Sequence, residues 1–233
     1  MSQPFKLFRL QQIDSQLDQG RNRLREIEAT LSDNSALNEG RQHAANAEAD
    51  FTSARKAMQR CEETVKAQNI KIEQTEATLY SGKVRNPKEL QDLQNESAAL
   101  KRYLEKLEER QLEALIATEE MEKIYNNAVE NLSKITAETE KLHLRLGAEK
   151  DNLLNELIRL GGERGAATSG IPQEDMNLYD KLRQQRRGVA VARVNHNVCS
   201  ACGSSLNAAL LQAARSPDQL SRCESCGRIL YSG

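Results

Sequence analysis

The sequence predicts a mainly α protein in which a long antiparallel coiled-coil hairpin is followed by a small C-terminal module. Three observations predict this class: apolar residues recur every seven positions through residues 1–160, a turn at 80–88 divides that region in two, and four cysteines form two close pairs in residues 199–226. Aromatic residues make up 3% of the chain and charged residues 29%. Such a composition suits long helices that bury a narrow apolar stripe.

The first half of the hairpin is predicted from one heptad row. Its members are Leu10, Leu17, Leu24 and Leu31 and, after a one-residue slip near Asp33–Asn34, Leu37, Ala44, Phe51, Met58, Val65, Ile72 and Leu79. Heptads sustained over this length predict a coiled-coil helix. Cys61 lies at an accompanying apolar position, which favours a packing role.

The turn at 80–88 carries the signals of a chain reversal followed by a new helix. Gly82 permits the reversal. Asn86 is predicted to cap the next helix, with Pro87 at its first position. Glu89 is at position N3, from which its side chain can bond back to the cap residue. A second leucine-rich row of similar length follows, which favours an intramolecular hairpin over residues 1–160. The alternative is a parallel dimer of extended helices.

The C-terminal part is predicted to form a separate module. Gly161–Gly162 is expected to end the second long helix, and residues 161–172 are expected to form a flexible linker. Residues 173–233 are then expected to contain a short neck helix, ended by Gly188, and a ribbon with strands near Val191 and Tyr231.

The two cysteine pairs predict a metal site. Cys199 and Cys202 are followed by Gly203, and Cys223 and Cys226 by Gly227. This spacing matches the pattern of a C4 zinc ribbon, in which four thiolates surround one Zn²⁺ ion. Because four thiolates leave no open coordination position, the zinc is predicted to be structural.

Other uses of these cysteines are less favoured. Disulfides require an oxidising compartment, whereas the N-terminal segment has no apolar signal region, so a cytoplasmic protein is expected. A redox CxxC would be expected near a βαβ pattern, which the sequence lacks. His196 could in principle replace a thiolate, and His43 and His143 are expected to be solvated.

Two basic groups are candidate partner-binding residues. The predicted hairpin tip carries Lys83, Arg85 and Lys88, and the neck carries Lys181, Arg183, Arg186, Arg187 and Arg193. Clustered cations can contact phosphates or acidic protein surfaces. The alternative interpretation is that the cations of each group are solvated surface charges that bind no partner.

Several function classes are disfavoured by the sequence. No apolar run is long enough to span a membrane. No nucleophile–base pair, carboxylate pair or phosphate-cradling glycine loop is evident, which predicts a non-enzymatic protein without a small-molecule substrate.

The chain resembles the bacterial family of coiled-coil hairpin proteins with a C-terminal C4-type zinc ribbon. The resemblance rests on residues 79–93, the two CxxCG motifs and the terminal segment Gly227–Tyr231. It implies Cys199, Cys202, Cys223 and Cys226 as zinc ligands and a role in protein or nucleic-acid binding. Some relatives are linked to the alternative sigma factor sigma-54, flagellar gene control and RNA binding.

The leading hypothesis is therefore a zinc-ribbon adaptor for a protein or RNA of gene expression. The alternative is a purely structural coiled-coil scaffold whose C-terminus is stabilised by zinc. RNA-polymerase secondary-channel regulators also join a hairpin to a small domain, but they act through acidic tip residues, whereas this tip is basic.

Overall fold

The computed structural model describes residues 2–217 and 219–233, and it confirms the mainly α fold class with a helical hairpin and a small C-terminal ribbon. The elements are α1 (Gln3–Ser32), α2 (Ser35–Tyr80), α3 (Pro87–Thr168), α4 (Gln173–Gln185), β1 (Val191–Asn195), β2 (Val198–Cys199), α5 (Ala208–Ala213) and β3 (Ile229–Tyr231). Within the described residues, no helix combines the length and the apolar character needed to cross a membrane.

The chain divides into two compact units. One comprises residues 33–142, and the other joins the chain up to Ser32 with residues 143–233. We call the first the hairpin unit and the second the ribbon unit. Helix α3 contributes residues to both.

In the hairpin unit, α2 and α3 run antiparallel and share a thin seam. The rings of Phe51 and Tyr125 stack with centroids 5.9 Å apart. Further toward the tip, the Gln68 amide donates a 3.0 Å hydrogen bond to the carbonyl oxygen of Leu100. The buried apolar residues of this unit are Ala44, Ala47, Ile72 and Leu107.

The turn between α2 and α3 follows the prediction. Gly82 has φ +70°, a left-handed conformation in which a side chain would be strained. The Asn86 side chain accepts a 3.0 Å hydrogen bond from the Lys88 backbone N–H, and α3 begins at Pro87. The predicted cap residue and helix start are therefore confirmed.

The ribbon unit has a denser core than the hairpin unit. Its sheet has the order β2-β1-β3, with β1 antiparallel to β2 and parallel to β3. One core cluster joins α1, α4 and the sheet through Leu7, Leu10, Tyr179, Val191 and Ile229. All five are at most 1% exposed.

Two predictions about helix continuity are wrong. The phase slip near Asp33–Asn34 is a break between two helices, where the Ser35 N–H donates to the Asp33 carboxylate at 3.0 Å. Helix α3 does not end at Gly161–Gly162 but continues to Thr168, so residues 161–168 of the predicted linker are helical. Packing holds this extension, because Leu160 is buried and Ala167 packs against the core.

Candidate metal centre and basic surfaces

The two CxxCG motifs form backbone turns of the same design. In the first, the Gly203 N–H donates to the Cys199 carbonyl at 2.9 Å, and in the second the Gly227 N–H donates to the Cys223 carbonyl at 2.8 Å. Gly203 and Gly227 have φ +74° and +73°. Both glycines are therefore required by the left-handed conformation that closes each turn.

The two turns bring the four cysteine sulfurs together. All four Sγ atoms lie within 4.8 Å of one another. Cys199 Sγ is 3.9 Å from Cys226 Sγ, and Cys202 Sγ is 3.7 Å from Cys223 Sγ. A tetrahedral zinc site with Zn–S bonds of ~2.3 Å has S···S edges of about 3.8 Å, so the arrangement fits one zinc ion. A disulfide would need sulfurs only ~2.05 Å apart.

The four thiols differ in their environment. Burial raises the pKa of Cys199 to about 12, since a thiolate without a cation is poorly solvated there. The hydrogen bond with Ser204 lowers the pKa of the exposed Cys202 to about 6. A bound Zn²⁺ ion would supply the missing positive charge and hold all four residues as thiolates.

The remaining cysteine and the histidines lie outside this centre. His196 is exposed in the turn between β1 and β2, and it is not among the four clustered ligands. His43 is exposed as expected, whereas His143 is half-buried. Cys61 is half-buried within α2, which agrees with a packing role.

Helix α1 is bonded directly to the ribbon. The Gln11 side-chain oxygen accepts hydrogen bonds of 2.6 Å from the N–H groups of Ala190 and Val191. The amide nitrogen of Gln11 donates to the Val191 carbonyl at 2.9 Å. One buried side chain thus satisfies backbone groups at the start of β1 and fixes the strand against α1.

A buried carboxylate organises the neck. Asp14, only 1% exposed, accepts a 2.8 Å hydrogen bond from the Tyr179 hydroxyl and pairs with Arg164 at 2.7 Å. Arg183 pairs with Asp14 at 2.9 Å and also with Asp18. Burial and the nearby Asp14 charge raise the pKa of Tyr179, so its phenol stays protonated as the donor.

The candidate contact residues are therefore not equivalent. At the tip, Lys83, Arg85 and Lys88 are exposed. In the neck, Lys181, Arg186, Arg187 and Arg193 are exposed, whereas Arg183 is engaged by internal carboxylates. Within the described part of the chain, the exposed members of both groups form no ion pair.

The structure adds two arginines that sequence reasoning missed. Arg228 donates to the Val189 carbonyl at 2.9 Å and to the Arg186 carbonyl at 3.4 Å, which places its guanidinium beside the Arg186–Arg187 turn. Arg222 donates to the carbonyl of Gly227, the residue before Arg228, at 3.0 Å. We call Arg186, Arg187, Arg222 and Arg228 the arginine cluster. The sequence feature that points to this cluster is the pair of arginines on either side of the second cysteine motif, Arg222 and Arg228.

Comparisons with known proteins identify both parts of the chain. A family model described as the CT398-like coiled coil hairpin domain matches residues 10–187, and a C4-type zinc ribbon model matches residues 198–230. No protein among those with curated descriptions matches the sequence.

Solved structures share the fold at low sequence identity. CT398 from Chlamydia trachomatis has a TM-score of 0.75 at 19% identity, covering 99% of this chain and 97% of its own. A Mycobacterium smegmatis protein has a TM-score of 0.65 at 21% identity, with both chains fully covered. The HP0958 protein from Helicobacter pylori has a TM-score of 0.51 at 16% identity, covering 97% of this chain and 95% of its own.

Proposed function

We propose that this chain, which belongs to the CT398-like coiled-coil hairpin family and ends in a C4-type zinc ribbon, is a non-enzymatic cytoplasmic adaptor that binds a protein or nucleic-acid partner in transcription or RNA-linked regulation. The metal centre supports a structural role for zinc, because four thiolates saturate the ion. Side chains outside the metal centre would then contact the partner.

The arginine cluster is the observation that carries the proposal. Arg222 and Arg228 are held by backbone carbonyls, and neither forms an ion pair with a carboxylate among residues 2–217 and 219–233. Arg186 and Arg187 extend the same positive region into solvent. Guanidinium groups bind phosphate and carboxylate oxygens in pairs, which suits recognition of a polyanionic partner.

In the ribbon unit, the two tyrosines favour backbone contact over base stacking. Tyr179 is fully buried, and Tyr231 stacks on Phe8 with ring centroids 5.0 Å apart. Neither tyrosine presents a free face comparable to a single-strand platform, on which bases stack. A nucleic acid at the arginine cluster would therefore be bound chiefly through its phosphates, with strong salt dependence and little sequence preference.

The hairpin tip provides a second candidate contact. Lys83, Arg85 and Lys88 are exposed and lie at the turn between α2 and α3. By resemblance to the family, the protein partner could be a sigma factor of the sigma-54 type or another gene-expression component. Acidic surfaces on such a partner would complement the tip.

The proposal is tested by titrating the zinc-loaded full chain into fluorescein-labelled single-stranded RNA across a salt series. The same protein is also titrated with purified RNA polymerase and sigma factors. For an RNA partner, the double variant Arg186→Gln/Arg187→Gln should weaken binding about tenfold at low salt and reduce the slope of log K against log salt concentration by about 1.4. Arg55→Gln/Lys56→Gln, on α2, removes the same charge elsewhere and serves as the control.

If neither RNA nor any transcription component binds the intact protein at low salt, the adaptor proposal is wrong. The alternative, a structural scaffold, is favoured by the direct bonding of Gln11 on α1 to the ribbon. On that alternative, replacing Lys83, Arg85 and Lys88 together by glutamine leaves partner capture unchanged.

A further inference from the structure

An apolar patch lies on the outer surface of α3 in the hairpin unit. Leu112, Leu115 and Ile116 are 58%, 40% and 50% exposed. Their i, i+3 and i+4 spacing places them side by side on the helix. The patch is not part of the hairpin seam, because Leu112 and Ile116 lie about 120° or more around the helix from the buried Leu107 and Thr118.

Carboxylates surround this patch along the helix. Glu108 and Glu109 lie one turn before Leu112, and Glu119 and Glu120 lie one turn after Ile116. A fifth glutamate, Glu113, lies between Leu112 and Ile116. All five are exposed. The nearest cations in the segment are Lys106, Arg110 and Lys123.

These glutamates differ from others on the same helix. Glu130 pairs with Lys134 at 2.7 Å, and Glu149 pairs with Arg23 at 2.7 Å. Among the residues that the structure describes, the five glutamates around the patch form no ion pair. Their negative charge is therefore available to a partner.

We propose that Leu112, Leu115 and Ile116, with the surrounding glutamates, form a docking surface for a basic amphipathic helix of a partner protein. The apolar stripe of such a helix would cover the three side chains, and its flanking lysines or arginines would face the glutamates. Apolar anchors spaced along a helix and complementary charges at the rim are the usual means of helix recognition. A nucleic acid does not fit, since the rim would repel its phosphates.

This surface is distinct from the arginine cluster of the proposed function. It has the opposite charge and lies in the hairpin unit, whereas the cluster lies in the ribbon unit. An adaptor with both surfaces could hold a polyanion and a basic protein helix at separate sites. Either inference can fail without the other.

The test uses a fluorescein-labelled synthetic helical peptide with leucines at heptad-spaced positions and lysines on its remaining surface. Fluorescence anisotropy with the zinc-loaded full chain should show saturable binding. Leu112→Ser/Ile116→Ser should weaken binding about tenfold, and Glu108→Lys/Glu119→Lys should weaken it at least as much. Leu144→Ser/Ile158→Ser, which removes exposed apolar groups from another part of α3, should leave the affinity unchanged.

Three results overturn the proposal. One is equal binding by the wild type and Leu112→Ser/Ile116→Ser, which would mean attraction by charge alone. Another is equal binding of a peptide whose lysines are replaced by glutamates. The third is a concentration-dependent dimer in sedimentation analysis that Leu112→Ser/Ile116→Ser abolishes, since a second copy of the chain would then cover the patch. Circular dichroism verifies that each variant remains helical.

Discussion

The hairpin unit and the ribbon unit are stabilised in different ways. The hairpin unit buries few large side chains, and its seam contains alanines such as Ala44 and Ala47. The ribbon unit surrounds Tyr179 and Leu10 completely and adds a metal centre. The hairpin unit therefore depends on many small contacts along its length, whereas the ribbon unit depends on a few fully buried residues and the four cysteines.

The largest effect is expected from removing the metal. A structural zinc site contributes about 10–16 kcal/mol of binding free energy in small domains, and here the ribbon shares its core with α1. Cys199→Ser, or chelation of zinc, should lower the melting temperature by more than about 10 °C. Circular dichroism melts with zinc quantification measure this effect.

Cys61→Ser is the matched control for that experiment. It changes a half-buried cysteine of the hairpin unit that lies outside the metal centre. If Cys199→Ser melts at the same temperature as Cys61→Ser and hydrogen exchange at residues 190–231 is unchanged, zinc does not hold the ribbon unit together.

A smaller loss of stability is expected from breaking the neck network. Asp14→Ala leaves Arg183 and the Tyr179 hydroxyl without their buried partner. Removing one member of a buried ion pair costs about 3–5 kcal/mol, which urea denaturation can measure. Asp18→Ala removes a half-exposed partner of the same arginine and should cost about 1 kcal/mol or less. Similar losses for the two variants would argue against a buried network.

The smallest effect is expected in the hairpin unit. Ile72→Ala removes one of its few buried large side chains and should cost about 2 kcal/mol, near the low end for such truncations. Ile70→Ala, two residues earlier and 53% exposed, should change the free energy of unfolding by less than about 0.5 kcal/mol. Hydrogen exchange along α2 measures both. A loss at Ile72 as large as that at Asp14 would contradict the proposed contrast between the units.

The sequence was most informative where structure follows from local chemistry. The reversal at Gly82 and the Asn86 cap depend on a few adjacent residues, and the metal centre depends on fixed cysteine spacing. The heptad rows likewise predicted the hairpin, because their period is that of a packed helix.

Features set by distant contacts were missed. Two adjacent glycines suggested the end of α3, but packing of Leu160 and Ala167 holds the helix beyond them. The sequence places Arg183 among the candidate contact cations, because its partners, Asp14 and Asp18, are more than 160 residues away. One signal was present: Asp14 follows Leu7 and Leu10 on the same face of α1, and a carboxylate on an apolar face requires a partner.

The bonds between Gln11 and β1 span 180 residues of sequence, and the stacking of Phe8 on Tyr231 spans more. During synthesis, therefore, the first helix emerges from the ribosome long before its partners exist. The hairpin unit can assemble from neighbouring sequence, while the apolar face of α1 stays without its core until the last strand is made. Contacts this distant slow folding and leave apolar surface open to aggregation. The residues of α1 are thus made long before the contacts that protect them can form.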